Sequence, residues 1–223
     1  MISENEKTVI SKMIKKGDFV IDVGGNEGEW SDCVLHSHPE VFFDIYEPIP
    51  ELSEKLENKY ENNIRVCVEN IALSDCKREN LTFYKYQLTG MSGLHRRDIS
   101  EEIKCNLGIP TEITVEANCL DNLYEQIDFL KVDTEGNELN VLCGAARIIS
   151  LSLIKTIQFE YGKCWQEQGL KLESAFELLE SFPYRYKLPE SGEIVQVSEF
   201  KPEYEDYGGG ELYNYVFSKE PMK

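Results

Sequence analysis

The side chains best suited to chemistry are acids that close apolar runs. IDFLKVD (127–133) ends on Asp133, with Glu135 two positions on, and IKTIQFE (154–160) ends on Glu160. If these runs form neighbouring strands, the three carboxylates converge where ligands collect, at the carboxyl ends of an open α/β sheet. Crowding of like charges raises at least one of their pKa values and makes that group a better base for a hydroxyl proton. The same oxygens suit a divalent cation that would polarise an acceptor, so Asp133, Glu135 and Glu160 are also the candidate metal ligands. His95, in a polar segment, offers an imidazole as an alternative base, and Arg96 and Arg97 beside it suit a phosphate. Plainer roles compete with each: Glu135 and Glu138 also fit the first turn of a helix, where acids oppose the dipole, and loop histidines and arginines are commonly just solvated.

A second group of residues suits a nucleotide. Val20 to Trp30 read VIDVGGNEGEW, an apolar strand running straight into a turn with glycines at 24, 25 and 28. Glycine lets the chain turn tightly and leaves main-chain amides open to a ligand. A dinucleotide fingerprint would place a glycine at 23, where Val23 stands. Asp22, Gly24, Asn26 and Gly28 instead alternate as D-x-G-x-N-x-G. That suits S-adenosylmethionine, whose ammonium wants a carboxylate, better than a pyrophosphate that wants a helix N-terminus; Asp22 is the expected acid. Glu47 ends VFFDIYEP (41–48), 19 positions beyond Gly28, where an acid accepts hydrogen bonds from ribose hydroxyls. Asn70 and Ile71, after a third strand, are placed to meet the adenine with an amide and an apolar side chain.

Elements must hold these residues in register. FVIDV (19–23), VFFDIY (41–46), IRVCVE (64–69), IDFLKVD and IKTIQFE are near-continuous apolar strands. Amphipathic stretches at 50–61, 136–149 and 171–182 separate them, as a parallel sheet covered on both faces requires. LTFYKY (81–86) and ITVEA (113–117) flank a polar segment, 87–110, long enough to be a substrate lid. After the last helix come YRYKLP (184–189), EIVQVS (193–198), a loop with Gly208, Gly209 and Gly210, and LYNYVFS (212–218), and two closing strands from this stretch complete the sheet, the last expected to run antiparallel.

The 223 residues suffice for one domain, 1–223, whose residues 1–17 form a polar helical segment. A formal charge of −18 is spread along the chain and repels phosphate backbones, which argues against a nucleic-acid partner. The one basic run of note is HRR at 95–97. No apolar stretch approaches a membrane span and no leader stands at the N-terminus, so a cytoplasmic location is expected. Seven scattered cysteines without a CxxC pair fit a reducing compartment. Cys33, His36 and His38 form only a weak metal pattern, lacking a second ligand pair.

The stretch IDFLKVDTEGNELNVLCGA (127–145), with D-x-E-G-x-E after a strand and a helix ending in G-A, resembles the FkbM family of methyltransferases. DVGGNEG, YEP, ALSD (72–75), SGL (92–94), CLD (119–121) and YNYVF (213–217) follow in the order of that family's segments, over roughly residues 8 to 219. Gly25 stands where alanine is frequent. The resemblance implies a class I, Rossmann-like, doubly wound, mostly parallel seven-stranded sheet with an inserted lid. It also implies S-adenosylmethionine as cofactor and transfer of its methyl group to a hydroxyl of a small molecule, such as a sugar or nucleotide-linked sugar in polysaccharide or glycoconjugate assembly. N- or carboxyl-methyl transfer on the same fold, and a non-catalytic nucleotide-binding scaffold, are the alternatives.

Overall fold

The structure is a computed structural model that describes residues 2–97, 108–190, 192–205 and 213–222. The first half runs α1 (Glu4–Met13), β1 (Phe19–Val23), α2 (Glu29–Ser37), β2 (Phe42–Tyr46), α3 (Pro50–Tyr60), β3 (Val66–Glu69), β4 (Ala72–Leu73), β5 (Arg78–Lys85) and β6 (Thr111–Asn118). Then come α4 (Leu120–Leu123), β7 (Ile127–Val132), α5 (Glu138–Cys143), α6 (Ala146–Ser150), β8 (Ile154–Tyr161), α7 (Lys163–Glu167) and α8 (Leu172–Leu178). β9 (Tyr184–Pro189), β10 (Val195–Val197) and β11 (Tyr213–Ser218) close the chain.

The apolar strands build one sheet in the order β10-β9-β11-β8-β7-β1-β2-β3. β3, β2, β1, β7 and β8 are parallel, while β11 runs antiparallel to both β8 and β9. Side chains alternate between its faces. Val20, Phe43, Phe129 and Val216 pack with Ile10 of α1 and Val34 of α2. Ile21, Leu130, Ile157 and Phe217 pack on the other face with Leu142 of α5 and Phe176 of α8. Phe159 is fully buried and stacks on Trp165, Tyr215 and Phe217, the type of aromatic burial that contributes about 2–3 kcal/mol per ring. The order reverses between β1 and β7, which makes the crevice above those two strands the natural ligand site.

A smaller sheet, β4-β6-β5, stands over this crevice. Phe83, Val115 and Ala117 from its strands pack with Ile49 and Leu52 at the start of α3. LTFYKY and ITVEA are thus partners, Phe83 lying opposite Ile113, and Tyr84 pairs back with Gly93 so that residues 87–93 fold over the cleft.

Two expectations change. The main sheet has eight strands rather than seven, because part of EIVQVS pairs with β9 as the short strand β10. The 136–149 stretch is two helices, divided where a Cβ on Gly144 would stand 2.1 Å from the Ser74 carbonyl oxygen, so the chain must turn at a close backbone approach. Of the expected lid, residues 98–107 lie outside the described residues, as do Gly208, Gly209 and Gly210. Among the described residues no helix is long and apolar enough to cross a membrane.

Candidate active site

The glycine turn is shaped by the strands around it. Gly24 leaves β1 at φ +89°, and a Cβ there would lie 1.8 Å from the Asp133 carbonyl oxygen. Glycine is therefore required where β1 and β7 end side by side. Gly28 caps α2 at φ +79°, a left-handed position, and packs so closely on Leu56 that a Cβ would come within 2.7 Å. Asn26 also has a positive φ, +46°. Its amide donates to Glu47 Oε2 at 2.7 Å, and its side-chain oxygen accepts from Thr89 Oγ1 at 2.7 Å, which ties the turn to the segment above it.

Glu47 is the second anchor. Its other oxygen accepts the Ile49 amide at 2.8 Å, and the residue is 4% exposed. Burial pushes its carboxyl up to about 7, despite the two amides that favour the charged form. Glu47 lies on a cleft of about 750 Å³, counted to its open mouth, walled by Ile49, Ile71, Leu73 and Phe83 and reaching Gly24 and Asp133. An apolar stretch of cleft with a carboxylate, here Glu47, at its edge is the pattern that an adenine and its ribose require. A polar second cleft continues past Gly24 and Asp133 to Trp30 and Lys131, and the two share Gly24, Asn26, Thr89, Gly90 and Asp133. The Cβ-free turn, the buried acid and this continuous slot fit S-adenosylmethionine.

The three acids do converge. One carboxylate oxygen from each of Asp133, Glu135 and Glu160 lies within 4.8 Å of the others, and among the described residues this is the only cluster of His, Cys, Asp or Glu close enough to share a cation. Cys33, His36 and His38 form no such group; His38 Nε2 instead lies 3.1 Å from the Ile10 carbonyl oxygen. Glu160 is held well above the ordinary carboxyl range by burial and then by Asp133 and Glu135. Glu135, at a left-handed φ of +58°, is also raised, by burial and Asp133, although Arg97 pairs with it and opposes the shift. A third cavity, of about 650 Å³, meets the first at Glu135 and Glu160, and Arg97, Lys163, Cys164 and Trp165 line it.

Other expected residues are placed differently. Asp22 lies behind the turn, fully buried, with one oxygen 3.1 Å from Lys131 Nζ and the other accepting Ser31 Oγ at 2.7 Å. Its neighbours on adjacent strands, Lys131 and then Gln158, make a polar row across that sheet face, so its charge is spent inside the fold. His95 stands 3.9 Å from Glu167 and lines neither cofactor cleft; Leu94 beside it does. Asn70 is exposed and donates to the Glu47 carbonyl oxygen at 2.9 Å, bracing the acid, while Ile71 alone of that pair lines the cleft.

Glu138 takes the structural role open to acids in a first turn. It accepts from the amides of Thr134 and Gly136 and from the Trp165 indole at 2.7 Å, which fixes the loop carrying Asp133 and Glu135. Lys131 was not singled out from the sequence, though a lysine inside IDFLKVD was the available signal. It is buried between Asp22 and Asp133, 3.4 Å from the latter, and these acids hold its pKa up against the downward pull of burial.

Residues 22–196 match the methyltransferase FkbM domain. The chain belongs to the FkbM methyltransferase family. With that domain and a β3-β2-β1-β7-β8-β11-β9 core, it is a class I, S-adenosylmethionine-dependent methyltransferase. A comparison with curated protein sequences found no match. Among solved structures it is similar to a precorrin-6y C5,15-methyltransferase from Geobacter metallireducens, with 10% identity, TM-score 0.46, and 97% of this chain and 87% of that chain covered. It is also similar to an S-adenosylmethionine-dependent O-methyltransferase from Thermotoga maritima, with 11% identity, TM-score 0.48, and coverage of 100% and 68%. A putative RNA methyltransferase from Pyrococcus horikoshii follows, with 11% identity, TM-score 0.49, and coverage of 98% and 83%.

Proposed function

We propose that this enzyme is an O-methyltransferase acting on a hydroxyl of a small molecule, a sugar or nucleotide-linked sugar. The observation that carries this reading is Glu160, a half-buried carboxylate with a raised pKa at the junction of the cofactor cleft and the third cavity. When bound, S-adenosylmethionine supplies a methyl group whose carbon–sulfur bond breaks with its electrons going to sulfur as carbon bonds to the acceptor oxygen. Glu160, ionised, takes the hydroxyl proton, and its raised pKa suits a base working near neutral pH. Glu47 accepts from the ribose hydroxyls, and Ile71 and Phe83 cover the adenine. Gly24, Lys131 and Asp133 line the polar cleft and would hold the aminoacyl end of the cofactor, Asp133 offering a carboxylate to its ammonium and Lys131, paired with Asp22 and Asp133, an ammonium to its carboxylate. Glu135, paired with Arg97, holds the acceptor side of the junction.

The spacing of the three carboxylates favours one variant, in which Asp133, Glu135 and Glu160 hold a divalent cation that lowers the hydroxyl pKa. The test is Glu160→Gln, assayed as S-adenosylhomocysteine release with an accepted substrate and as S-adenosylhomocysteine binding by calorimetry. A fall in kcat of about 10²–10⁴ with unchanged binding is expected of a base. Unchanged turnover would remove Glu160 from the mechanism, and loss of turnover on chelation, restored by magnesium or manganese, would select the metal variant.

A further inference from the structure

The basic run HRR (95–97) has no part in the cofactor site, yet it lands beside the acids. Arg97 lines the third cavity with a side chain 13% exposed, Nε donating to the Met91 carbonyl oxygen at 3.0 Å and Nη2 paired with Glu135. Lys163, at the start of α7, lines the same cavity, its side chain 57% exposed and 3.3 Å from Glu167 on the same helix. His95 lies against that same Glu167. Among the described residues, no lysine or arginine lines the first cleft, and the second has only Lys131, locked between Asp22 and Asp133. In a chain with a charge of −18, two cations from separate elements meet at this one cavity.

Its place relative to the cofactor clefts is equally specific. Methyl transfer needs the acceptor oxygen, the methyl carbon and the sulfur in line, so the acceptor must approach from the side opposite the cofactor. The third cavity meets the first across Glu135 and Glu160, so an acceptor there would reach the cofactor cleft beside the proposed base. Its acids lie inward and Lys163 outward. Of the acids, Glu138 is already committed to backbone amides and the Trp165 indole.

We propose that the third cavity is the acceptor site and that Arg97 and Lys163 select an acceptor carrying a carboxylate or phosphate beside the hydroxyl to be methylated. The anionic group stays at the mouth on the two cations while the hydroxyl reaches Glu160. Arg97 suits this role because its planar fork offers five donors, enough to hold a second anionic group while Nε stays on the Met91 carbonyl and Nη2 on Glu135. The inference rests on the methyl-transfer reading above.

The test uses the protein saturated with S-adenosylhomocysteine and ligand-observed saturation-transfer NMR with glucose, glucuronate and glucose 1-phosphate. Glucuronate or glucose 1-phosphate should bind and glucose should not; which of the two gives the stronger signal distinguishes a carboxylate from a phosphate acceptor. Arg97→Gln and Lys163→Gln should each weaken the anionic ligand at least fivefold, with S-adenosylhomocysteine affinity within twofold of the parent. Lys163 is exposed, so its variant reports even if Arg97→Gln folds poorly. Equal binding of glucose, absence of binding by both anions, or anion binding indifferent to both substitutions would overturn the proposal. Glu160→Gln separates the two readings: if anion binding persists and turnover is also unchanged, the base assignment fails and the acceptor site stands.

Discussion

At Glu47 the physics of a single carboxyl sets a measurable pH dependence. Ribose hydroxyls donate to the charged form, and burial holds the carboxyl at about 7, above its ordinary 4.5. S-adenosylhomocysteine affinity should therefore rise from pH 6 to pH 8, with about tenfold weaker binding one unit below the midpoint, and Glu47→Gln should flatten that profile. The sign for folding is opposite: a raised pKa means the folded state keeps the proton longer, so this group's contribution to stability is full below about 4.5 and is lost as pH rises through about 7. Lys131 provides a second test. Lys131→Gln should cost about 3 kcal/mol in denaturant unfolding, because it strands the buried Asp22. It should also weaken S-adenosylhomocysteine about tenfold while leaving 5′-methylthioadenosine, which lacks the aminoacyl end, unaffected; equal weakening of both would remove Lys131 from the cofactor site. That Glu47, Gly24 and Ile71 come together on one cleft was legible, because strand ends and the spacing from the glycine turn locate them. The burial of Asp22 against Lys131 was not legible, because a sequence does not reveal that the neighbouring strand brings a lysine to its register partner, Cα against Cα.

Elements explain why the turn tolerates so little change. Gly24 sits where β1 and β7 finish together, at φ +89° and against the Asp133 carbonyl. Gly24→Ala adds both a left-handed strain and a backbone clash, and should cost about 3 kcal/mol in stability. Because the clash pushes Asp133 away from the turn, cofactor binding should fall further than stability alone requires. A thermal-shift series with S-adenosylhomocysteine would show a depressed melting temperature that saturating ligand does not restore; full restoration would mean that the two strand ends part without disturbing the site. The parallel strands were readable from their continuous apolar runs, and β11 from its position after the last helix. The eighth strand and the break at Gly144 were not, since β10 is three residues long and the break depends on Ser74 approaching from another part of the chain. The pairing of β5 with β6 spans a segment with no periodicity of its own, so only the fold packs Phe83 on Val115 and brings Phe83 to the wall of the first cleft.

The charge of the whole molecule bears on what it will accept. A nucleic acid is the acceptor class on which charge bears most directly. A net charge of −18 opposes it, because nucleic-acid affinity rests largely on cations that displace the counterions of a phosphate backbone. Arg97 and Lys163 line a single cavity, enough to hold one anionic group and too few to track a strand. In filter binding at about 0.15 M salt, transfer RNA should bind more weakly than the roughly 10⁻⁴ to 10⁻⁶ M of ordinary non-specific complexes. The same self-repulsion destabilises the compact state, and salt screens it over about 10 Å at 0.1 M, so the melting temperature should rise with added sodium chloride. The two measurements bear on each other. If salt stabilises the protein and RNA does not bind, the surface field is dispersed and repulsive, and selection falls to the two cations at the acceptor cavity. If RNA binds and its affinity drops steeply with salt, the acidic surface carries a basic track that net charge conceals, and the acceptor is a nucleic acid.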